Sequence, residues 1–272
     1  MMIIKNALPV INEMLSENDK VLFNLFYFIA ERDAFWATDE KSFLIGQSNE
    51  KFPMWVWIHD DADEEAYREM EEIIAGRLEL NPQLKIVADA EKMEKIVQRI
   101  SEKKKVTYKS EVPMVVYRCD EVVNAKHAGG HVIFSNESHR SILEKFITGM
   151  VWDLEKRPMR EGEAEGFAKD VAGADNLYLW EDEGVVAAMA MIVHRTKEFA
   201  RINTVYTDSA QRGKGYAGML VGEITQKILD DNCIPMLYTE QDNVCSNAVY
   251  KRIGYHVCGE LTQFCFETTI SR

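Results

Sequence analysis

No pair of cysteines at CxxC spacing occurs in this 272-residue chain, and its five cysteines (Cys119, Cys233, Cys245, Cys258 and Cys265) are odd in number. Such a pattern argues against a disulfide framework and against a cysteine-built metal knot; it fits reduced thiols in a cytosolic protein. Long apolar runs are missing as well. The longest, VLFNLFYFIA at 21–30, is about half of what a membrane span requires, contains Asn24 and is flanked by charge. It reads as a core helix, and the protein as cytoplasmic with no membrane partner. Nor is there an excess of positive charge. The formal net charge is −13, with 17 Lys and Arg against 24 Asp and Glu up to Lys126 and 15 against 21 beyond it. A nucleic-acid binder normally carries a basic face, and neither half supplies one. Glycine is scarce early on: up to Lys126 only Gly46 and Gly76 occur, and neither sits in a strand-to-helix phosphate loop.

What is present is a chain long enough for two ordinary domains, with 46% hydrophobic residues to build their cores. Apolar residues recur at helical spacing over 6–33, with a break near 16–18, which predicts two amphipathic helices. Strand-like SFLIG and MWVWIH follow, then a helix over 63–78 that opens on Asp63, Glu64 and Glu65, acids suited to the positive end of a helix dipole. LKIVA, a helix over 91–101 and the β-rich VTYKSEVPMVVYRC complete the first half. Trp36, Trp55 and Trp57 read as core. Periodicity stops around NAKHAGGHV, where Gly129 and Gly130 suggest a linker and set the expected domains at 1–126 and 127–272. Beyond it come helices over 137–154 and 161–171, a hairpin from NLYLW through EDEG to VVAAMAMIVH, the β-rich ARINTVYT, a helix over 216–230, the strand PMLYT, a helix over 244–253 ended by Gly254, and a last β pair in YHVCGELTQFCFE.

The chemistry concentrates in QRGKGYAGML, residues 211–220. A helix that follows a strand and is opened by glycines points several unpaired amides at one place, and so makes an anion site. Gly213 and Gly215 let phosphate oxygens approach those amides, and Arg212 and Lys214 add positive charge in an acidic protein. Residues 213–218 also satisfy G-x-G-x-x-G, with Glu240 near the position of a ribose-binding acid. In a dinucleotide fold, however, the first glycine comes directly off the strand, whereas residues 208–212 intervene here. Only 32 residues follow Glu240, too few for the remaining strands of a doubly wound sheet. A Walker A loop is excluded because no Lys-Ser/Thr pair follows the glycines.

Residues 210–215 resemble the acetyl-CoA loop of the GNAT superfamily of N-acetyltransferases, written Q/R-x-x-G-x-G/A, with Ala210 where that pattern has Gln or Arg. INTVYT before the loop is similar to the strand that pairs with the pantetheine arm, and DNVCSNAVYKRIGY resembles the family's second signature. The resemblance covers residues 137–267. It implies a mixed α/β (α+β) fold in the C-terminal domain, a mostly antiparallel central sheet flanked by helices, with a smaller or degenerate GNAT-like α/β copy before it. It further implies acetyl-CoA as cosubstrate, held by Val205, Tyr206, Thr207, Gln211, Arg212, Gly213, Lys214, Gly215, Tyr216, Ala217, Asn243 and Asn247. Tyr250 would lie beside the thioester sulfur as a general acid, its reference pKa of ~10 keeping it protonated near neutrality. Asn243, Asn247 and Tyr250 are spaced i, i+4 and i+7, one face of a helix.

An amine acceptor must lose a proton to attack, and Glu240, at a strand end, is the candidate base, directly or through water. Cys245 would be the nucleophile of a covalent route, but no histidine lies close to it in sequence. The reading is therefore direct acetyl transfer to a primary amine of a small molecule by a monomer or homodimer. Net acidity mildly favours a cationic amine. A CoA-binding sensor without catalysis and a dinucleotide oxidoreductase are the alternatives.

Overall fold

The computed structural model describes residues 2–123 and 129–267; the boundary expected at Lys126, with residues 124–128 of the expected linker, lies outside the described residues. Two compact units form. One comprises residues 2–116, 239–243 and 257–267, the other residues 117–123, 129–238 and 244–256. The first contains β1 (Met2–Ile3), α1 (Leu8–Met14), α2 (Glu17–Leu22), α3 (Leu25–Ala30), β2 (Phe35–Thr38), β3 (Phe43–Gln47), β4 (Met54–Ile58), α4 (Glu64–Leu80), β5 (Lys85–Ala88), α5 (Ala90–Lys104), β6 (Thr107–Ser110) and the start of β7 (Met114–Cys119). In the second follow β8 (His131–Phe134), α6 (Arg140–Glu155), α7 (Glu163–Val171), β9 (Leu177–Asp182), β10 (Val185–Val193), β11 (Phe199–Thr207), α8 (Tyr216–Asp230), most of β12 (Ile234–Glu240), α9 (Val244–Ile253) and the first residues of β13 (Tyr255–Glu267).

In the first unit the strands lie in the order β1-β2-β3-β4-β5-β13, with β6 also on β13, and every pair is antiparallel except β4–β5. Helices α4 and α5 cover one face, their Met70, Ile74, Met93 and Ile96 packing on Ile45, Val56, Ile86 and Phe264. Both helices start on an aspartate cap: Asp63 accepts from the Glu65 and Ala66 amides at 3.1 and 3.0 Å, and Asp89 from the Lys92 amide at 3.1 Å. Trp36, Trp55 and Trp57 are buried in the core.

The second unit orders its strands β8-β9-β10-β11-β12, antiparallel except for the β11–β12 pair. Met189 and Met191 of β10 pack with Leu143 and Phe146 of α6 and Ala168 of α7. The alternate residues Ala188 and Ala190 leave room for α8, which lies along β9, β10 and β11 and buries Leu220, Ile224 and Ile228. The architecture is thus mixed α/β, with mostly antiparallel strands flanked by helices, as the sequence implied.

Two local expectations change. The run at 21–30 folds as the end of α2 and the whole of α3, because Phe23 leaves helical geometry at φ −104° and ψ 31°; each piece then buries its own residues, Val21 and Leu22 in one, Phe26, Tyr27 and Ile29 in the other. Residues 255–267 form one continuous strand rather than a pair. Gly259, in the middle of that run, keeps an extended backbone, and a Cβ there would meet Leu22 at 3.2 Å, so its missing side chain serves packing.

Gly46 is a second packing glycine. It faces Trp36 across the β2–β3 ladder, and a Cβ at Gly46 would lie 2.6 Å from the buried indole. Gly46→Ala is expected to destabilise the protein by about 1–3 kcal/mol through overpacking. Urea unfolding checks this; an unchanged midpoint would contradict the contact.

Candidate active site

The β11–β12 ladder is short. Among the described residues it pairs Phe199, Ala200 and Arg201 with Ile234, Pro235 and Met236 and goes no further. Directly beyond, Thr204 adopts a positive φ of 55°, and the register with β10 shifts between Met189 and Met191. A bulge of this kind bends the strand and re-aims it. On the β10 side pairing resumes, Tyr206 opposite Met189 and Thr207 opposite Ala188. Residues 205–207 therefore run past the end of the parallel ladder while β10 still holds them, which suits them to pair with an extended ligand.

The chain then turns. Asp208 is buried, accepts from the Ala210 amide at 2.9 Å and is ion-paired to Lys145 of α6. Burial alone would raise its pKa, but the Lys145 ammonium, the Ala210 amide and Arg212 hold it below the usual carboxylate range. Gly213 and Gly215 both take left-handed backbone, at φ 80° and 88°, and a Cβ at either would meet nothing within 4 Å. Their glycine identity is therefore a matter of backbone conformation, and the space beside them is open. Gly215 caps α8 without a side chain, so the first amides of that helix look into this space. Lys214 bonds the Gln211 side chain at 2.8 Å, and Tyr216 donates to Asp182 at 2.6 Å, tying the helix start to the end of β9.

Helix α6 braces this turn through three residues spaced by four. Lys145 pairs with Asp208, Gly149 leaves room for Tyr206, and Asp153 pairs with Arg212. A Cβ at Gly149 would stand 2.1 Å from the Tyr206 hydroxyl, and the Tyr206 ring packs on Phe146 at 5.6 Å. Arg212 also donates from Nε to the Thr207 carbonyl at 3.2 Å, with its guanidinium 5.4 Å from the Tyr206 ring centre. None of the three α6 residues stood out in the sequence; a glycine inside an otherwise regular helix was the available signal.

On α9, Asn247 accepts from the Tyr117 hydroxyl at 2.8 Å, and Tyr250 is buried between Tyr117 and Tyr255, with ring centres 6.3 and 6.1 Å away. Tyr255 shares a 2.8 Å hydrogen bond with Thr225. Burial pushes the Tyr250 phenol up to about 12, against the pull of a hydrogen bond with Ser246. Asn243 immediately precedes the helix, and its amide donates to the Glu240 carbonyl at 3.1 Å. Glu240 is exposed at the end of β12; both lie in the 239–243 segment that packs with the first unit. Cys245 is exposed in the first turn of α9.

Residues 140–255 match the sequence model of the Acetyltransferase (GNAT) family. No curated protein gives a significant sequence match. Among solved structures the chain is similar to a GCN5-related N-acetyltransferase from Kribbella flavida, at 12% identity over 92% of this chain and 96% of that one, with a TM-score of 0.62. A GNAT-family acetyltransferase from Colwellia psychrerythraea aligns at 13% identity over 98% and 99%, with a TM-score of 0.55. A GCN5-related N-acetyltransferase from Sphaerobacter thermophilus aligns at 14% over 92% and 85%, also at 0.55. At such identities the likeness is one of fold.

Gly149 tests the brace. In an ordinary helix Gly→Ala stabilises by about 1 kcal/mol; here Gly149→Ala is expected to destabilise by about 1–3 kcal/mol, because the methyl meets Tyr206. Adding Tyr206→Leu should recover most of the loss in a double-mutant cycle. A melting temperature that rises with Gly149→Ala alone would refute the contact.

Proposed function

We propose, from the match of residues 140–255 to the acetyltransferase (GNAT) family, that the protein is an acetyl-CoA-dependent N-acetyltransferase that transfers an acetyl group directly to the primary amine of a small molecule. One observation carries the reading: two glycines in left-handed backbone, with open space beside them, sit at the N-terminus of a 15-residue helix after a strand that has stopped pairing with its parallel neighbour. That arrangement suits a ligand with phosphates at one end and an extended, amide-containing arm at the other. The amides of residues 212–217 would take the phosphates, with Arg212 and Lys214 beside them. Backbone groups of Val205, Tyr206 and Thr207 would hold the arm, and Gln211, Asn243 and Asn247 its flanks.

In the transfer, the neutral amine attacks the thioester carbonyl carbon, the C–S bond breaks, and the sulfur leaves with the bonding pair. Tyr250 donates its phenolic proton to that sulfur, giving free CoA thiol, and the proton lost by the attacking nitrogen restores the phenol. Glu240, exposed and at the end of the strand that leads to α9, is proposed to accept the amine proton first, through water. An alkylamine with pKa ~10 is mostly charged at neutral pH, which is why such a base is useful. The first unit, with its own mostly antiparallel sheet and paired helices, is proposed to be a degenerate copy of the same fold. All five cysteines are free thiols, in keeping with a proposed cytoplasmic location, and among the described residues no helix is long and apolar enough to cross a membrane.

Acetyl-CoA and CoA should each raise the melting temperature, by an amount equivalent to about 2.7 kcal/mol at a hundredfold excess over Kd, and NADH should not. Gly215→Glu should abolish the response. Stabilisation by NADH alone would replace the reading with a dinucleotide one. Tyr250→Phe should lower kcat about tenfold or more while leaving CoA affinity intact; unchanged turnover would favour a non-catalytic CoA-binding module or a different acid. Because its pKa is held up to about 12 by burial, the Tyr250 acid stays protonated across the working range. The kcat profile should therefore rise with pH as the amine deprotonates and show no decline from this group between about pH 7 and 10. A fall centred in that interval would contradict its role.

A further inference from the structure

Arg201 closes the β11–β12 ladder, opposite Met236, where the two strands stop pairing. Across β10 it pairs with Val193, and Asn203 and Tyr206 pair with Met191 and Met189, so Arg201, Asn203 and Tyr206 share the face of the sheet that α6 and α7 cover. The guanidinium lies 4.6 Å from the ring centre of Tyr238, two residues beyond Met236 on the same face. Part of the side chain reaches solvent. Nη1 does not, and among the described residues nothing accepts a hydrogen bond from it. The chain carries 45 Asp and Glu, yet among the described residues no carboxylate pairs with this cation. Burial lowers its pKa, opposed only by Tyr238.

A buried cation without a counter-charge is costly to the fold, and an apolar residue of similar volume at such a site is commonly neutral or stabilising. Tyr238 occupies a face of the guanidinium, which leaves the planar fork to a ligand, and a carboxylate matches that fork in bidentate fashion. Direction along the strand says which ligand. If, as proposed above, phosphates bind at residues 212–217 and the arm runs back along 207 to 205, the acyl end points toward Arg201. From residue 205 to residue 201 is roughly 13 Å of strand, which an arginine side chain and a small acceptor together can span. We propose that Arg201 determines acceptor specificity by binding a carboxylate of the substrate, and that the acceptor is a carboxylate-bearing amine of the amino-acid class. This inference rests on the acetyltransferase reading and reverses the preference for a purely cationic amine that overall charge alone suggested.

The test compares the full-length protein with Arg201→Met and Arg201→Lys. Melting temperature is measured without ligand and with CoA, and thiol release from acetyl-CoA is measured with each common amino acid beside the amine that remains when its α-carboxyl is removed. For the wild type, the carboxylate-bearing member of at least one pair should win by about a hundredfold in kcat/KM. Arg201→Met should abolish that preference, leave the CoA-induced shift unchanged and raise the ligand-free melting temperature; Arg201→Lys should keep part of the preference. Any of three results would overturn the inference: equal or better turnover of the decarboxylated amines, no turnover of any carboxylate-bearing amine, or a lowered melting temperature in Arg201→Met, which would make the arginine a structural part of the Tyr238 stack. Absence of a CoA shift in the wild type would instead sink the acetyltransferase reading, and this inference with it.

Discussion

The second unit is organised by the point at which two parallel strands stop pairing. Had β11 stayed in register with β12 to its end, residues 205–207 would have spent their hydrogen bonds on a neighbour, and Arg201 would be one more residue in a closed ladder. The left-handed Thr204 and the register shift on the β10 side end that ladder after Arg201 and Met236. A non-glycine residue at positive φ costs of order 1–3 kcal/mol, and the β10–β11 ladder around it is what holds it there. The strand thereby gains a stretch that is fixed on one side and open on the other, which is what an extended ligand arm requires.

Beyond the strand, the same concern with fixed geometry shows in helix α6. A loop that offers backbone amides to an anion is useful only if the amides are already aimed, since ordering it at the moment of binding would cost affinity. Lys145, Gly149 and Asp153 hold Asp208, Tyr206 and Arg212, one from each successive turn of the helix. The Asp153–Arg212 pair is exposed at both ends and weak, whereas Lys145 reaches a buried Asp208. Gly149 is the more telling of the three, because a helix interior tolerates glycine at a cost of roughly 0.5–1 kcal/mol relative to alanine, and the Tyr206 hydroxyl occupies the vacated space.

How far this could be read from the sequence depends on whether a feature is local. The glycine loop was legible because glycine is the residue that permits the left-handed turns found at Gly213 and Gly215, and Gly254 ending α9 is legible for the same reason. Helix α4 announced itself through the acids at its start, Asp63, Glu64 and Glu65, whereas the Asp89 cap of α5 was seen only in the structure. Contacts between distant segments were not legible: nothing near Lys145, Gly149 or Asp153 names their partners about sixty residues away, and Tyr117 reaches Asn247 across 130 positions. The continuous β13 was missed because Gly259 looks like a turn until Leu22 is seen packed over it. Its pairing with β5 likewise follows from register with strands far earlier in the chain. Arg201 sat unnoticed inside a β-rich run, since a lone arginine gains meaning only when the missing counter-charge is visible.

Residues 205–207 and 212–217 are proposed to form one continuous backbone cradle for a phosphate-bearing ligand with an extended arm. Hydrogen–deuterium exchange of the full-length protein, with and without CoA, reads those amides directly. CoA should slow exchange in the peptides covering residues 205–207 and 212–217, with smaller changes along α9. Saturating CoA that leaves both segments as they were, or protects only the first unit, would contradict it.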